Sequence, residues 1–231
     1  MDTKGPEGRF EGWTILFDLD GTLVDSAPDL LRALNHTIGT IGVAPVALSD
    51  IRTMIGHGAK AMIRRALDRA NRVQEEAQID ALWTLFIEHY RANIAIDTRA
   101  FAGAETALHE LAAEGARLAV CTNKTQALSQ QVLDALGLSR HFHAVVGADA
   151  VPRKKPDGDH ILRTLSAAGG DPSHAFMVGD SRTDERAARS AGLPFVFVPF
   201  GYEAEPAEAM AADAVVSSYS ELIPVLSALK A

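Results

Sequence analysis

Two aspartates two residues apart open the chemistry of this chain, in Asp18-Leu19-Asp20-Gly21-Thr22. Alternate residues of an extended segment share a side, so both carboxylates point the same way. Two carboxylates that close repel unless a cation or a shared proton relieves them. Gly179-Asp180 brings a third, and Asp184 lies one helical turn beyond it on the same face. Carboxylates with no histidine among them suit a hard, oxygen-ligated cation, Mg²⁺ above all. Asp184 in that set would bind a metal-bound water or orient a neighbour. Thr122-Asn123 adds a hydroxyl, and Arg153-Lys154-Lys155-Pro156 adds an ammonium. Metal, hydroxyl and ammonium together suit phosphoryl transfer, where charge spreads over the equatorial oxygens of the transition state. An aspartate can itself be the nucleophile and form an aspartyl-phosphate. Taken singly, each residue has an ordinary structural use, as a helix cap, a turn residue or a solvated lysine. Four separate segments of this kind, each at the end of an apolar run, are hard to obtain from capping alone.

Those apolar runs are the elements that must position the set. Residues 14–19, 117–121, 144–147, 175–178, 195–198 and 214–216 are apolar throughout rather than alternating, which predicts buried parallel strands. Helical patterns fall between most of them, over 104–114, 125–136, 157–168 and 183–191. Each is followed by a glycine, Gly115, Gly137, Gly169 or Gly192, the expected helix stop. Strand and helix in alternation imply βαβ units in a doubly wound, parallel α/β sheet. Such sheets bind ligands at the carboxyl ends of their strands, where the polar residues above lie. The interval from Ser26 to about Ile96 breaks the rhythm. Leu30, Leu34 and Ile38 share one helical face, Met62, Ala66 and Ala70 a second, and Ile79, Leu82, Phe86 and Tyr90 a third. This predicts a small helical domain, residues 26–94, inserted after the first strand of a core made of 1–25 and 95–231.

Charge divides along the same line. The chain of 231 residues carries a formal net charge of −8. Residues 26–94 hold eight Lys plus Arg and seven Asp plus Glu, so the acidic excess belongs to the core and tail. An acidic balance argues against a nucleic-acid binder that works by broad phosphate neutralisation. One cysteine, Cys121, excludes a disulfide framework and a multi-cysteine zinc site, and its apolar run makes it a core residue. The Gly- and charge-rich start, residues 1–12, has no apolar stretch of a signal peptide. No run reaches the roughly 18 apolar residues of a spanning helix. The expectation is a cytoplasmic protein with no membrane partner. His141-Phe142-His143 lacks a nearby third ligand and reads as a surface loop.

Asp18-Leu19-Asp20-Gly21-Thr22-Leu23-Val24-Asp25-Ser26 resembles the first motif of the haloacid dehalogenase superfamily in its phosphatase form. Thr122 matches the second motif, Lys155-Pro156 the third, and Gly179-Asp180-Ser181 through Asp184 the fourth. The resemblance spans residues 14 to 229. It implies a Rossmann-like core with a cap domain inserted after the first strand. It also implies roles. Asp18 is the nucleophile. Asp20 protonates the leaving oxygen and then activates the water that hydrolyses the aspartyl-phosphate. Thr122 and Lys155 hold phosphoryl oxygens, with Asn123 beside them. Asp18, the backbone carbonyl of Asp20 and Asp180 bind Mg²⁺, with Asp184 in or just behind that shell. Within the superfamily the chain is similar to the phosphoglycolate phosphatases. The residues that carry this are Asp25-Ser26-Ala27-Pro28-Asp29-Leu30, Ile55-Gly56-His57-Gly58-Ala59, Thr122-Asn123-Lys124 and Gly201-Tyr202. The expected partner is a small phosphorylated metabolite, 2-phosphoglycolate foremost, handled by a monomer or a homodimer. One departure is Asp157-Gly158 after Pro156, where relatives often carry a second proline; Asp157 remains able to cap the next helix.

Arg52, His57, Lys60 and Arg64 of the insert are candidates to meet a substrate carboxylate when such a cap closes. Three other readings use the same residues. A phosphomutase of the β-phosphoglucomutase type or a pyrophosphatase would share the four motifs. A receiver domain of a signalling system would also have paired acidic residues, a phospho-accepting Asp, a hydroxyl and a Lys. Receiver domains are shorter and lack a cap, and a stable phospho-switch has no use for the acid/base that Asp20 provides.

Overall fold

The computed structural model describes residues 8–203 and 206–230. Most of the Gly- and charge-rich start, Glu205 of the acidic tail and the final Ala231 lie outside them. Six strands form one sheet: β1 (Thr14–Phe17), β4 (Arg117–Cys121), β5 (Ala144–Val146), β6 (Ala175–Gly179), β7 (Phe195–Phe197) and β8 (Ala214–Val215). Their order is β5-β4-β1-β6-β7-β8, and every neighbouring pair is parallel. All six expected strands are present, several trimmed at their carboxyl ends. At β1 the reason is chemical. Asp18 makes the last bond to β6, its backbone N–H donating to the Val178 carbonyl at 3.0 Å, and Gly21 turns the chain at φ +91°, a region open to glycine.

Alternation sends successive side chains of each strand to opposite faces, and both faces are covered. Ile15, Phe17, Leu118, Val120, Phe176 and Val178 join one apolar cluster with helices α5 (Ala104–Ala113), α6 (Gln126–Ala135) and α9 (Leu222–Leu229). Leu16, Ala119, Cys121, Met177, Phe195 and Phe197 join a second with α7 (Gly158–Ala168) and α8 (Arg182–Ala191). The central runs are apolar throughout because neither face of β1, β6 and β7 meets water, whereas Val215 on the edge strand β8 is exposed. Gly169 and Gly192 stand in the left-handed conformation at the ends of α7 and α8. Asp157 accepts from the backbone N–H of Asp159 and caps α7 without the second proline.

Between β1 and β4 the chain forms α1 (Ala27–Gly39), α2 (Leu48–Arg52), α3 (Ala59–Arg69) and α4 (Glu76–Ala92). Leu30, Leu34, Ile51, Met62, Leu82 and Phe86 of these helices pack into a third apolar cluster, which Leu128 of α6 and Tyr202 also join. Ala70 does not share the buried face of Met62 and Ala66; it ends α3 and is exposed. A two-stranded antiparallel ribbon, β2 (Val24–Asp25) with β3 (Arg99–Ala100), stands where the chain enters and leaves these helices. Asp29 secures the same place. Its buried carboxylate accepts from the backbone N–H groups of Asp97 and Thr98 and from the Thr98 hydroxyl. Among the described residues no helix is long and apolar enough to cross a membrane.

Candidate active site

β1 sits between β4 and β6, where the strand order reverses, and the candidate residues gather at the carboxyl ends of these three strands. Carboxylate oxygens of Asp18, Asp180 and Asp184 all lie within 4.8 Å of one another, and all three residues are buried. Lys155 Nζ stands 2.6 Å from Asp184 Oδ1 and 3.0 Å from Asp18 Oδ1, with its side chain only 1% exposed. The Thr22 hydroxyl and the Tyr202 backbone N–H donate to the two oxygens of Asp180, at 2.7 and 2.8 Å. Asp184 does two jobs. One oxygen faces Lys155, and the other accepts from the backbone and hydroxyl of Ser181, closing a capping box at the start of α8.

Positive charge is short in this cluster. Burial pushes the Asp18 carboxyl up to about 7; Lys155 pulls it down, and Asp184 adds to the rise. Burial and the charges of Asp184 and Asp18 hold Asp180 well above the usual carboxylate range. Burial also works against the Lys155 ammonium, but Asp18 and Asp184 outweigh it and hold the lysine above its ordinary value. Lys155 pairs with two of the three buried carboxyl groups, and Asp180 is held by the Thr22 hydroxyl and the Tyr202 N–H. An all-oxygen donor set this close, with Asp18 and Asp180 driven toward taking up protons, fits a hard divalent cation. The backbone enforces the fit. A Cβ on Gly21 or Gly201 would lie within 2.4 Å of Asp180 Oδ2.

Asp20 faces different partners. Its Oδ1 accepts from the Ser26 hydroxyl at 2.5 Å and from Lys124 Nζ at 2.8 Å, and Lys124 also reaches Oδ2 at 3.0 Å. Thr122 is buried at the end of β4, and its hydroxyl accepts from the Lys124 backbone N–H. The Asn123 amide donates to the carbonyls of Gly56 and Lys155, tying the 55–58 loop to the sheet edge. Cys121 lies just behind, buried, its thiol pushed up to about 12 by that burial, so it offers no thiolate.

Two cavities open from Asp18 and Asp20. One runs under α3 and α4, floored by Met62, Trp83, Phe86, Ile87 and Tyr90. The other has four arginines in its lining, Arg52 and Arg65 from the helical insert and Arg182 and Arg186 from α8, together with His57 and Glu203. Of the four insert candidates, Arg52 and His57 line this second cavity, Arg52 also pairing with Asp25 at 2.9 Å. Lys60 and Arg64 line neither. They pair instead with Asp80 and Glu76 of α4 at solvent-exposed positions. Sequence alone assigns no site role to Lys124, Tyr90, Tyr202 or Arg65, although Lys124 and Tyr202 stand in segments that carry the resemblance and Tyr90 on an apolar helical face. For Lys124 a further signal is its place two residues after Thr122 at a strand end.

Residues 15–198 match the model of the haloacid dehalogenase-like hydrolase family. A phosphoglycolate phosphatase from Caulobacter vibrioides is 46% identical over 211 residues, covering 91% of this chain and 89% of its own. One from Agrobacterium fabrum is 44% identical, covering 91% of each chain. The crystal structure of a Haemophilus somnus protein, named as a predicted phosphoglycolate phosphatase, superposes with a TM-score of 0.87 at 29% identity. That match covers 94% of this chain and 98% of the other.

Proposed function

The chain belongs to the haloacid dehalogenase-like hydrolase family, as a phosphoric monoester hydrolase, and we propose that it is a Mg²⁺-dependent phosphatase of small phosphorylated acids, 2-phosphoglycolate foremost. The observation that carries this is Lys155 set between Asp18 and Asp184, with Asp180 closing the group. The relatives' activity supports the substrate. The arginines lining the second cavity support it independently, since they suit a carboxylate beyond the phosphate.

In this reading Asp18 attacks phosphorus. The Asp18 oxygen–phosphorus bond forms as the bond to the leaving oxygen breaks, and Asp20 gives that oxygen its proton. Asp20 then takes a proton from water, which attacks phosphorus and releases Asp18 and inorganic phosphate. Lys155 and Thr122 donate to the phosphoryl oxygens, and Asn123 holds the loop that borders them. Asp18, Asp180 and the Asp20 backbone carbonyl would hold Mg²⁺, Asp184 lying at the edge of that group. The ion supplies positive charge against the phosphoryl oxygens and the clustered carboxylates. Residues 26–94 serve as the cap over a core of 1–25 and 95–231, and the β2–β3 ribbon is their junction. Cap residues Arg52 and His57 face the substrate.

Phosphate release from phosphoglycolate, pyrophosphate and hexose phosphates, measured with Mg²⁺ and with EDTA, tests the proposal. Turnover of phosphoglycolate that EDTA abolishes is expected. Activity that survives EDTA contradicts the metal assignment, and isomerised hexose phosphate with little free phosphate replaces the phosphatase reading with a mutase.

A further inference from the structure

Lys124 is a buried cation with no place in the scheme above. Its side chain is 6% exposed, and its ammonium reaches both oxygens of Asp20. On the other side the ammonium lies over the ring of Tyr90 from α4, 4.7 Å from the centroid. A cation desolvated between a carboxylate and an aromatic face is held from both directions. Ser26 completes the arrangement by donating to Oδ1. Oδ1 therefore accepts two hydrogen bonds from these partners and Oδ2 one, so the two oxygens of Asp20 differ and the carboxylate plane is set.

We propose that Lys124 is a positioning residue for Asp20, fixing the carboxylate so that Oδ2 faces the leaving oxygen, and that Tyr90 of the helical insert holds Lys124 in place. This rests on the assignment of Asp20 as acid and base in the proposed reaction. Without Lys124 the carboxylate keeps only the Ser26 bond and rotates about its side chain. Both proton transfers then slow: from Asp20 to the leaving oxygen as its bond to phosphorus breaks, and from water to Asp20 as the aspartyl-phosphate is cleaved. Misplacement on the scale of an ångström is enough for a large loss of rate.

The test compares Lys124→Met, Lys124→Arg, Tyr90→Leu and Asp20→Asn with the native chain. Phosphoglycolate has a poor leaving group that needs the proton; 4-nitrophenyl phosphate has one that does not. For Lys124→Met on phosphoglycolate, kcat should fall about a hundred-fold, within the range general acid–base catalysis supplies, with KM changed little. On 4-nitrophenyl phosphate the same variant should release one equivalent of nitrophenolate in a burst and then turn over slowly. Lys124→Arg should recover part of kcat. Tyr90→Leu, which keeps the ammonium but removes the ring that steadies it, should lower kcat a few-fold for phosphoglycolate and leave the burst rate intact. Equal losses on both substrates without a burst, or native kcat in Lys124→Met, overturn the positioning role. Should Lys124→Met not fold, the Tyr90→Leu and Lys124→Arg results decide in the same way. Native turnover of phosphoglycolate by Asp20→Asn overturns instead the acid/base assignment on which the inference rests.

Discussion

Removing one negative charge at residue 18 separates chemistry from folding. In Asp18→Asn the amide keeps an oxygen that can accept from the Leu19 backbone N–H and from Lys155, at the 2.7 and 3.0 Å contacts Asp18 makes. It cannot attack phosphorus. Phosphatase activity should fall on the order of 10⁴-fold or more, the scale on which enzymes respond to loss of a nucleophile. The melting temperature without metal should stay within a few degrees, because a buried carboxylate beside two others is costly and its replacement relieves that cost. Activity assays and a thermal melt on one preparation check both halves; retained turnover would remove Asp18 as nucleophile. At this scale the sequence was informative for residues that sit where apolar runs end. Asp18, Thr122 and Asp180 each close a strand, so a local pattern marks them. Lys124 and Tyr202 draw their roles from partners far along the chain. Lys124 reads as an ordinary lysine until β4 is placed beside β1, and Tyr202 as an ordinary tyrosine until its hydroxyl meets the start of α1.

That tyrosine joins three elements. Its hydroxyl accepts from the backbone N–H groups of Ser26 and Ala27, at 2.8 and 3.0 Å, and donates to Asp25 at 2.8 Å. Its own N–H donates to Asp180. The first turn of α1 has no side-chain cap from Ser26, whose hydroxyl is engaged with Asp20, so a residue far along the chain satisfies the N–H groups there. Tyr202→Phe keeps the ring and the backbone bond to Asp180 but leaves two N–H groups and a carboxylate without that partner. A loss of about 1–3 kcal/mol is expected in urea unfolding. The Mg²⁺ concentration needed for half-maximal activity should change less than two-fold. A much larger rise in that concentration would mean that the hydroxyl, and not the backbone, secures Asp180. Elements themselves were legible to the extent that they were long and periodic. The strands read from their apolar runs because both faces of the central sheet are buried. The β2–β3 ribbon did not, since two residues carry no period. Nor did the exposure of Ala70, because a helical face continues in a sequence pattern past the point where the helix stops.

Strand order is a property of the whole molecule, and it turns three local carboxylates into one electrostatic problem. Nothing in the apolar runs says that β1 lies between β4 and β6; with that order, Asp18 and Asp180 come together with Asp184, and Lys155 pairs with Asp18 and Asp184. The free carboxyl of an unfolded aspartate titrates near 3.8, whereas Asp18 in the fold is pushed up to about 7. Between those values the folded chain binds a proton that the unfolded chain has released. This group's contribution to stability is therefore full at low pH and is lost as pH rises from about 4 toward 7. Without metal, the cluster makes the protein less stable at pH 8 than it would be with the carboxyl protonated. A divalent cation competes with that proton. At pH 5.5 the proton should weaken apparent Mg²⁺ affinity about thirty-fold relative to a fully ionised site, from a separation of about 1.5 pH units. Saturating Mg²⁺ at about 100 times its dissociation constant at pH 8 should add about 2.7 kcal/mol of stability. For a chain of this size that is a rise of roughly 5–11 °C in melting temperature. The same Mg²⁺ concentration at pH 5.5 should give a clearly smaller rise, and EDTA should reverse both. Thermal melts at the two pH values, with and without the ion, check this directly. Equal rises at both would place the bound ion away from Asp18, Asp180 and Asp184, because only a site made of carboxyls that must first lose protons couples metal binding to pH in this direction.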